Sequence, residues 1–476
     1  MMTLTLGYFL RVLLAMNPAG YDPAVADVVT DSREVQPGSL FVAIPGERVD
    51  GHDYVAHAFA RGAVAALVSR PVPGDWPVVN ADPAGLAALQ PGSNCLLLVD
   101  DTVAAMQQAA QVWREQFQSL RVIGITGSVG KTSTKELTHA VLASRYNTFK
   151  TPGNRNSILG LPPALFGLQP GHERAVLEMG MYTRGEIARL CQISRPEIGV
   201  ITMIDAVHME RAGSLEHIVA AKRELVEALP ADGVAILNRD EPLVMGMAGH
   251  TAARVFTYGL DPAADLWADG IESRGLNGIQ FTLHTGREAL RLQVPLLGRH
   301  SVHTVLRAAA VGLIEGLTWD EIGHGLQGMQ SQLRLVTADG PQQSLILDDT
   351  YNASPASMIA ALNLLADLDG RRVAVLGDML ELGQAEEASH RLVGRRALQV
   401  AHLLVTVGPR GRLIAEEALL AGMDPGRVYA PATAAEAVAL LLEIIRPRDV
   451  ILVKGSRAVF MDQIVSALVR AGESSQ

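Results

Sequence analysis

Only two cysteines, Cys95 and Cys191, occur in 476 residues. They stand far apart and without metal-ligand spacing, which excludes a disulfide scaffold and a cysteine-rich zinc site and reads as buried thiols in a reducing compartment. Aromatics are scarce at 4 %, while almost half of the chain is apolar, so the core is built from Ala, Val and Leu. No uncharged apolar run approaches the ~20 residues of a membrane span. Long basic runs are absent and the net charge is −10, which argues against non-specific nucleic-acid binding. The opening segment, residues 1–16, lacks a basic leader, and Arg11 interrupts its apolar stretch. It reads as a short first helix, not a signal peptide, and a cytoplasmic location is expected. Internal repeats and low-complexity tracts are also missing.

A chain of this length exceeds a single core and implies about three domains. Residues 1–118 alternate short apolar runs with helical ones: Ser39–Ile44, Ala65–Ser69 and Leu96–Val99 read as strands, and Asp101 or Thr102 caps a helix to about Phe117. Residues 119–334 hold further strand–helix units, with strands at Ala175–Leu177, Ile198–Ile204 and Val234–Leu237. Residues 335–476 repeat the alternation at Ser344–Leu347, Val373–Leu376, Leu403–Val407 and Val450–Val453. The fold class is α/β: a small N-terminal α/β domain, a central ATPase-type domain with a mostly parallel sheet, and a C-terminal Rossmann-like domain. Gln327–Leu335 is the expected hinge before the third.

The most informative stretch is residues 120–135, LRVIGITGSVGKTSTK. An apolar strand feeds Thr126-Gly127-Ser128-Val129-Gly130, and Lys131-Thr132-Ser133 then open a helix. Gly127 and Gly130 let backbone N–H groups close on a polyphosphate. Lys131 reaches the β- and γ-phosphates, and the Thr132 hydroxyl suits Mg²⁺. The spacing is a tighter variant, T-G-x-x-G-K-T, because Ile125 stands where the first Gly of the usual phosphate loop belongs. ATP and Mg²⁺ are therefore the expected ligands.

Polar residues that follow apolar strands mark where open α/β sheets place ligands. Glu178 ends the strand Ala175–Leu177 and suits a Mg²⁺ ligand; the alternative is a cap or a solvated acid. His208 follows the next strand, where a histidine is more often a hydrogen-bonded structural residue than a metal ligand. Lys222 falls on the apolar stripe of a helix capped by Ser214 and marked by Leu215, Ile218, Leu225 and Leu229. It either snorkels to the rim or, with its pKa lowered by burial, becomes an amine able to take up CO₂ as a carbamate. Asp348 to Pro355, DDTYNASP, stands at a strand-to-helix junction and suits a nucleotide or substrate contact, although turn chemistry would use the same residues. Lys454-Gly455-Ser456-Arg457 ends the last strand in the same way.

Taken together, these blocks resemble the Mur ligases of peptidoglycan synthesis, over essentially the whole chain. Thr30-Asp31-Ser32-Arg33 and the segment Leu40–His52, LFVAIPGERVDGH, are similar to the family's UDP-sugar-binding first domain. TPGNRNS at 151–157 and Gly160-Leu161-Pro162 resemble its UDP-muramoyl contact. DDTYNASP and Val375–Gly383, VLGDMLELG, resemble the branch that adds a dipeptide. The resemblance implies an ATP-dependent amide ligase that joins D-alanyl-D-alanine to UDP-N-acetylmuramoyl-tripeptide through an acyl phosphate. It implies catalytic roles for Lys131, His208 and Lys222, and a metal site of Thr132, Glu178, His208 and carbamylated Lys222. Nucleotide contacts would come from residues 126–133, Asn238, His300, Arg334, Asp349, Tyr351 and Asn352. Ser32, Arg33, Gly46, Asn154, Asn156 and Ser157 would hold the acceptor. The family's G-x-H-N-x-x-N segment departs here: Ser301 and Thr304 replace both Asn residues around His300, so an amide that would read the adenine edge is absent. A monomer is expected. The competing readings are the ligase adding the third peptide residue, a folylpolyglutamate synthase, and a non-catalytic nucleotide-binding regulator.

Overall fold

The computed structural model describes residues 3–17, 22–46, 49–80, 86, 89, 92–205, 214–286, 288–328 and 336–473. Among these, strands form sheets of five, nine and six members in chain order. The first sheet is parallel throughout, in the order Val28–Val29, Leu40–Val42, Ala65–Val68, Cys95–Leu98, Val78–Val79. Its following helix, Thr102–Glu115, starts where Asp101 accepts hydrogen bonds from the N–H groups of Val103 and Ala104. This is side-chain capping of first-turn donors that otherwise lack partners. The opening helix is Leu6–Leu14, capped by Thr5. Tyr8, Trp113 and Phe117 pack edge to face beneath it.

In the central sheet, Arg121–Thr126 lies between Arg174–Glu178 and Ile198–Ile201. Chain order reverses at that strand, the switch point where open α/β sheets leave a crevice beyond their carboxyl ends. Alternate residues serve opposite faces. Val122 and Leu177 join a core continuous with the first unit, whereas Ile123, Ile125 and Val176 join a core under the helix Val302–Ile314. Both cysteines are buried.

The structure differs from the sequence reading at the far edge of this sheet. Leu266–Ser273, Ile279–Thr285 and Glu288–Val294 form an antiparallel meander instead of further strand–helix units. Its strands alternate buried and exposed residues, as strands with one solvated face do. The strand expected to run to Ile204 ends at Ile201. Residues 202–205 instead turn beneath the phosphate loop.

The third sheet runs Val336–Asp339, Leu345–Asp349, Val450–Lys454, Arg372–Gly377, Leu403–Val407, Val428–Tyr429, with only the first pair antiparallel. Ser354 caps the helix Pro355–Ala366 by accepting from Ser357 N–H. The expected hinge residues 329–335 lie outside the described residues. No helix among the described residues is long and apolar enough to cross a membrane.

Candidate active site

The phosphate loop is shaped by two glycines with positive φ. At Gly127, φ is +147° and a Cβ would fall 1.9 Å from Thr202 Oγ1; at Gly130, φ is +83°. Neither position suits a side chain. Residues beneath the loop fix it: Ser128 N–H donates to the Met203 carbonyl, its hydroxyl to the Asp205 carbonyl, and Thr202 to the Val129 carbonyl. The helix Lys131–Leu142 then begins, with its first-turn N–H groups at the loop. Lys131 Nζ donates to the carbonyls of Gly127 and Ser128, at 2.8 and 3.1 Å. Thr126 is wholly buried and donates to the Met179 carbonyl, so its side chain braces the loop from below.

Behind the loop, Glu178 is 1 % exposed and its two oxygens serve different segments. Oε2 accepts the Thr132 hydroxyl at 2.8 Å, and Oε1 accepts the Asn156 amide at 2.7 Å. Lys135, fully buried, donates to the carbonyls of Thr151 and Gly153 and lies 3.2 Å from Glu136 and 3.9 Å from Glu178. The TPGNRNS segment is thus tied to the phosphate-loop helix. Ser157 uses its hydroxyl locally, accepting from Leu159 and Gly160 N–H. Asn154 is exposed on the same turn. From the first unit, Glu34, next in sequence to Arg33, pairs with Arg155 of this segment at 2.7 Å. Ser32 is buried against His57, Arg33 pairs with Asp31, and Gly46 N–H donates to the Val49 carbonyl in a turn too tight for a Cβ.

Lys222 sits on the helix Leu215–Glu227, whose cap Ser214 accepts from His217 N–H. It is 3 % exposed, so it does not snorkel. Burial, reinforced by the positive charge of Lys131, pushes its pKa well below the ordinary lysine value; Glu178, Glu186 and Glu224 offset this in part. His208 and Arg334 lie outside the described residues.

In front of the loop, a cavity of about 1520 Å³ opens between the central and third units. That exceeds the roughly 300–1,000 Å³ of a single small-molecule site and gives room for more than one ligand. Residues 128–131, Ser133, Asn238 and His300 line one wall; Asp349, Tyr351, Asn352 and Lys454 line the other. Asp349 pairs with Lys454 at 2.8 Å, and Lys454 also donates to the Asn352 carbonyl. The walls around His300 lower its pKa by desolvation, against the raising effect of Asp349. The acceptor candidates from Ser32 to Ser157, with Glu178 and Lys222, lie elsewhere around the loop and not on this cavity.

Several residues here escaped the sequence reading. Lys135 and Arg307 are charges within helices that bury apolar faces, a signal legible in principle. Glu241, whose pKa burial raises, Tyr182 and Arg274 reach the cavity only through tertiary structure.

Comparison with known proteins agrees with this arrangement. Residues 25–112 match the Mur ligase family catalytic domain, 125–312 the Mur ligase middle domain, and 333–457 the Mur ligase glutamate ligase domain. A UDP-N-acetylmuramoyl-tripeptide–D-alanyl-D-alanine ligase of Escherichia coli is 37 % identical over 95 % of this chain and 96 % of its own. One of Bacillus subtilis is 36 % identical over 96 % and 95 %. Among solved structures, MurF from Acinetobacter baumannii superposes with a TM-score of 0.85 at 30 % identity, covering 98 % of this chain and 99 % of that one. MurF from Thermotoga maritima, in complex with ADP, gives 0.79 at 26 % identity over 94 % and 98 %. A folylpolyglutamate synthase of Mycobacterium tuberculosis, at 18 % identity and a TM-score of 0.61 over 77 % of this chain, shares the fold alone. Matched in order along its length, and by relatives of one kind at more than a third identity, the chain belongs to the Mur ligase family.

Proposed function

We propose that this chain uses ATP to join D-alanyl-D-alanine to UDP-N-acetylmuramoyl-tripeptide, completing the pentapeptide precursor of peptidoglycan in the cytoplasm. The observation that carries the reading is one cavity bounded by a phosphate loop on one wall and DDTYNASP on the other, in a chain aligned end to end with ligases of this name.

A peptide carboxylate is inert to amines. Its oxygen therefore takes the γ-phosphoryl group of ATP, releasing ADP. The dipeptide amine then attacks the acyl phosphate, and phosphate leaves. Lys131 and the helix N-terminus meet charge on the phosphates. Thr132 and Glu178, hard oxygen donors joined by a 2.8 Å hydrogen bond behind the loop, would hold Mg²⁺, with His208 and carbamylated Lys222 as further candidates. When bound, Mg²⁺ neutralises charge on the transferring phosphoryl. The nucleotide lies between the loop and Asn238, His300, Asp349, Tyr351 and Asn352. Ser32, Arg33, Gly46 and the segment Asn154–Ser157 hold the UDP-linked acceptor. The third unit closes over the acyl phosphate and keeps water from it.

Phosphate release measured against a panel of UDP-muramoyl peptides and amines tests the reading. Turnover is expected only with the tripeptide acceptor and D-alanyl-D-alanine together. Faster turnover with free D-Ala, L-Lys, diaminopimelate or L-Glu would overturn the substrate assignment.

A further inference from the structure

The helix Val302–Ile314, VHTVLRAAAVGLI, is apolar except at its start and at Arg307. Arg307 is only 5 % exposed. Its Nε donates to the Tyr258 hydroxyl at 2.7 Å and its Nη1 to the Thr134 hydroxyl at 3.1 Å. Both acceptors are neutral. Among the described residues Arg307 has no ion-pair partner, and Glu241, the acid on the same wall, only influences it from a distance. A guanidinium nine-tenths buried among hydroxyls is costly unless an anion completes it.

The place of the guanidinium identifies that anion. It forms part of the cavity wall, and its Nη1 lies 3.2 Å from where a Cβ on Gly130 would stand. Gly130 and Thr134, one helical turn apart, share a face of the phosphate-loop helix. Thr132, which bonds Glu178, projects from a different face. Arg307 therefore flanks the loop on the side away from the candidate Mg²⁺ residues. Its Nη2 has no hydrogen-bond partner among the described residues and is not sealed from solvent. The side chain is also held in place from below. The Tyr258 hydroxyl that receives Nε donates to the carbonyls of Ile201 and Thr202, and Thr202 in turn donates to the Val129 carbonyl of the loop. The fork is thus tied to the loop it faces.

We infer that Arg307 is a second phosphate-binding cation of this site, gripping the diphosphate of a bound nucleoside polyphosphate from the side opposite Thr132 and Glu178. This rests on the ATP site proposed above and adds a contact that survives after the γ-phosphoryl has been transferred. A planar fork suits two phosphate oxygens at once, which an ammonium does not.

Calorimetric titration of the full chain with ADP tests it, together with KM values for ATP and for the UDP-linked acceptor. If the unaltered chain fails to bind ADP, the ATP-site reading fails first. With that binding in hand, Arg307→Met is expected to weaken ADP and raise KM for ATP by about 10- to 100-fold, while KM for the acceptor stays within twofold. Arg307→Lys, which keeps the charge and loses the fork, should recover part of the affinity. ADP affinity within twofold of the unaltered chain in folded Arg307→Met overturns the inference. So does an equal rise in both KM values, the mark of a merely structural arginine. Should Arg307→Met not fold, Arg307→Lys carries the test: ADP binding several-fold weaker supports the contact, and unchanged binding overturns it.

Discussion

Two buried lysines flank the phosphate loop, and their surroundings are opposite. Lys135, with no exposed surface, points at the carbonyls of Thr151 and Gly153 and at the carboxylates of Glu136 and Glu178. Lys222, 3 % exposed, has no hydrogen-bond or ion-pair partner among the described residues and faces the charge of Lys131. Burial is the same, so burial alone does not decide what a lysine does; the acceptors around it do. Lys135 is built as a fixed strut between the phosphate-loop helix and the TPGNRNS segment. Lys222 is an amine whose charged form burial and the Lys131 charge disfavour.

The largest effect that bears on this contrast comes from the cation that Lys222 faces. Lys131→Ala should lower kcat/KM by about 10³-fold or more in a folded protein, since it removes charge that meets the transferring phosphoryl. Near-wild-type ligation would sink the phosphate-loop assignment. Lys222→Ala should lose on the order of 10³-fold for want of a carbamate and regain part of it with a short-chain carboxylate that fills the vacated space. Lys222→Arg should stay inactive, because a guanidinium cannot accept CO₂ in this way. Retained activity in either variant without added carboxylate would make Lys222 an ordinary buried amine.

Stability should separate the two lysines by sign. Lys135→Met leaves the Thr151 and Gly153 carbonyls and Glu178 without their buried cation, while Glu136 keeps Lys150, and should cost about 3–5 kcal/mol in urea unfolding. Lys222→Met removes a group whose charge the fold disfavours. In CO₂-depleted buffer near neutral pH it should gain stability, because the fold disfavours the charged amine. The pH dependence follows from the depressed pKa. Between that value and the ordinary 10.5, the unfolded chain holds a proton on Lys222 that the native chain lacks, so the unaltered protein gains stability as pH rises. The advantage of Lys222→Met should therefore shrink towards pH 10.5. Loss of stability in both variants would erase the contrast.

How much of this was legible beforehand depends on how local each signal is. The phosphate loop, Glu178, the Asp101 cap and the strands expected at Val234–Leu237 and Ser344–Leu347 follow from short apolar runs and punctuation; the structure has elements at all of them, the two strands running on through Asn238 and Asp349. Lys222 on an apolar stripe was visible as a conflict between charge and position, but only packing shows that it stays inside. The antiparallel meander escaped because Gly270, Gly278 and Gly286 interrupt a pattern that tertiary pairing then completes. Arg307 and Lys135 escaped for another reason. The conflict of charge with an apolar face is legible in each helix, but what resolves it is not, because the partners, Thr134 and Tyr258 or Thr151 and Gly153, arrive from other segments.

The same reasoning sets the smallest effect, at the one described ion pair that joins the first unit to the TPGNRNS segment. Arg155 and Glu34 meet at 2.7 Å, but their side chains are 38 % and 52 % exposed. Water and salt screen such a pair, and ordering two long side chains offsets much of its attraction. A double-mutant cycle with Arg155→Ala and Glu34→Ala should return a coupling of about 0.2–1 kcal/mol, falling as ionic strength rises. The close Lys135 contacts behind it should keep the segment in place, so KM for the UDP-linked acceptor should change by no more than a few-fold in either single variant. A coupling above 2 kcal/mol that ignores salt would show that this contact behaves as a buried one, and that exposure is a poor guide to what a charge contributes here.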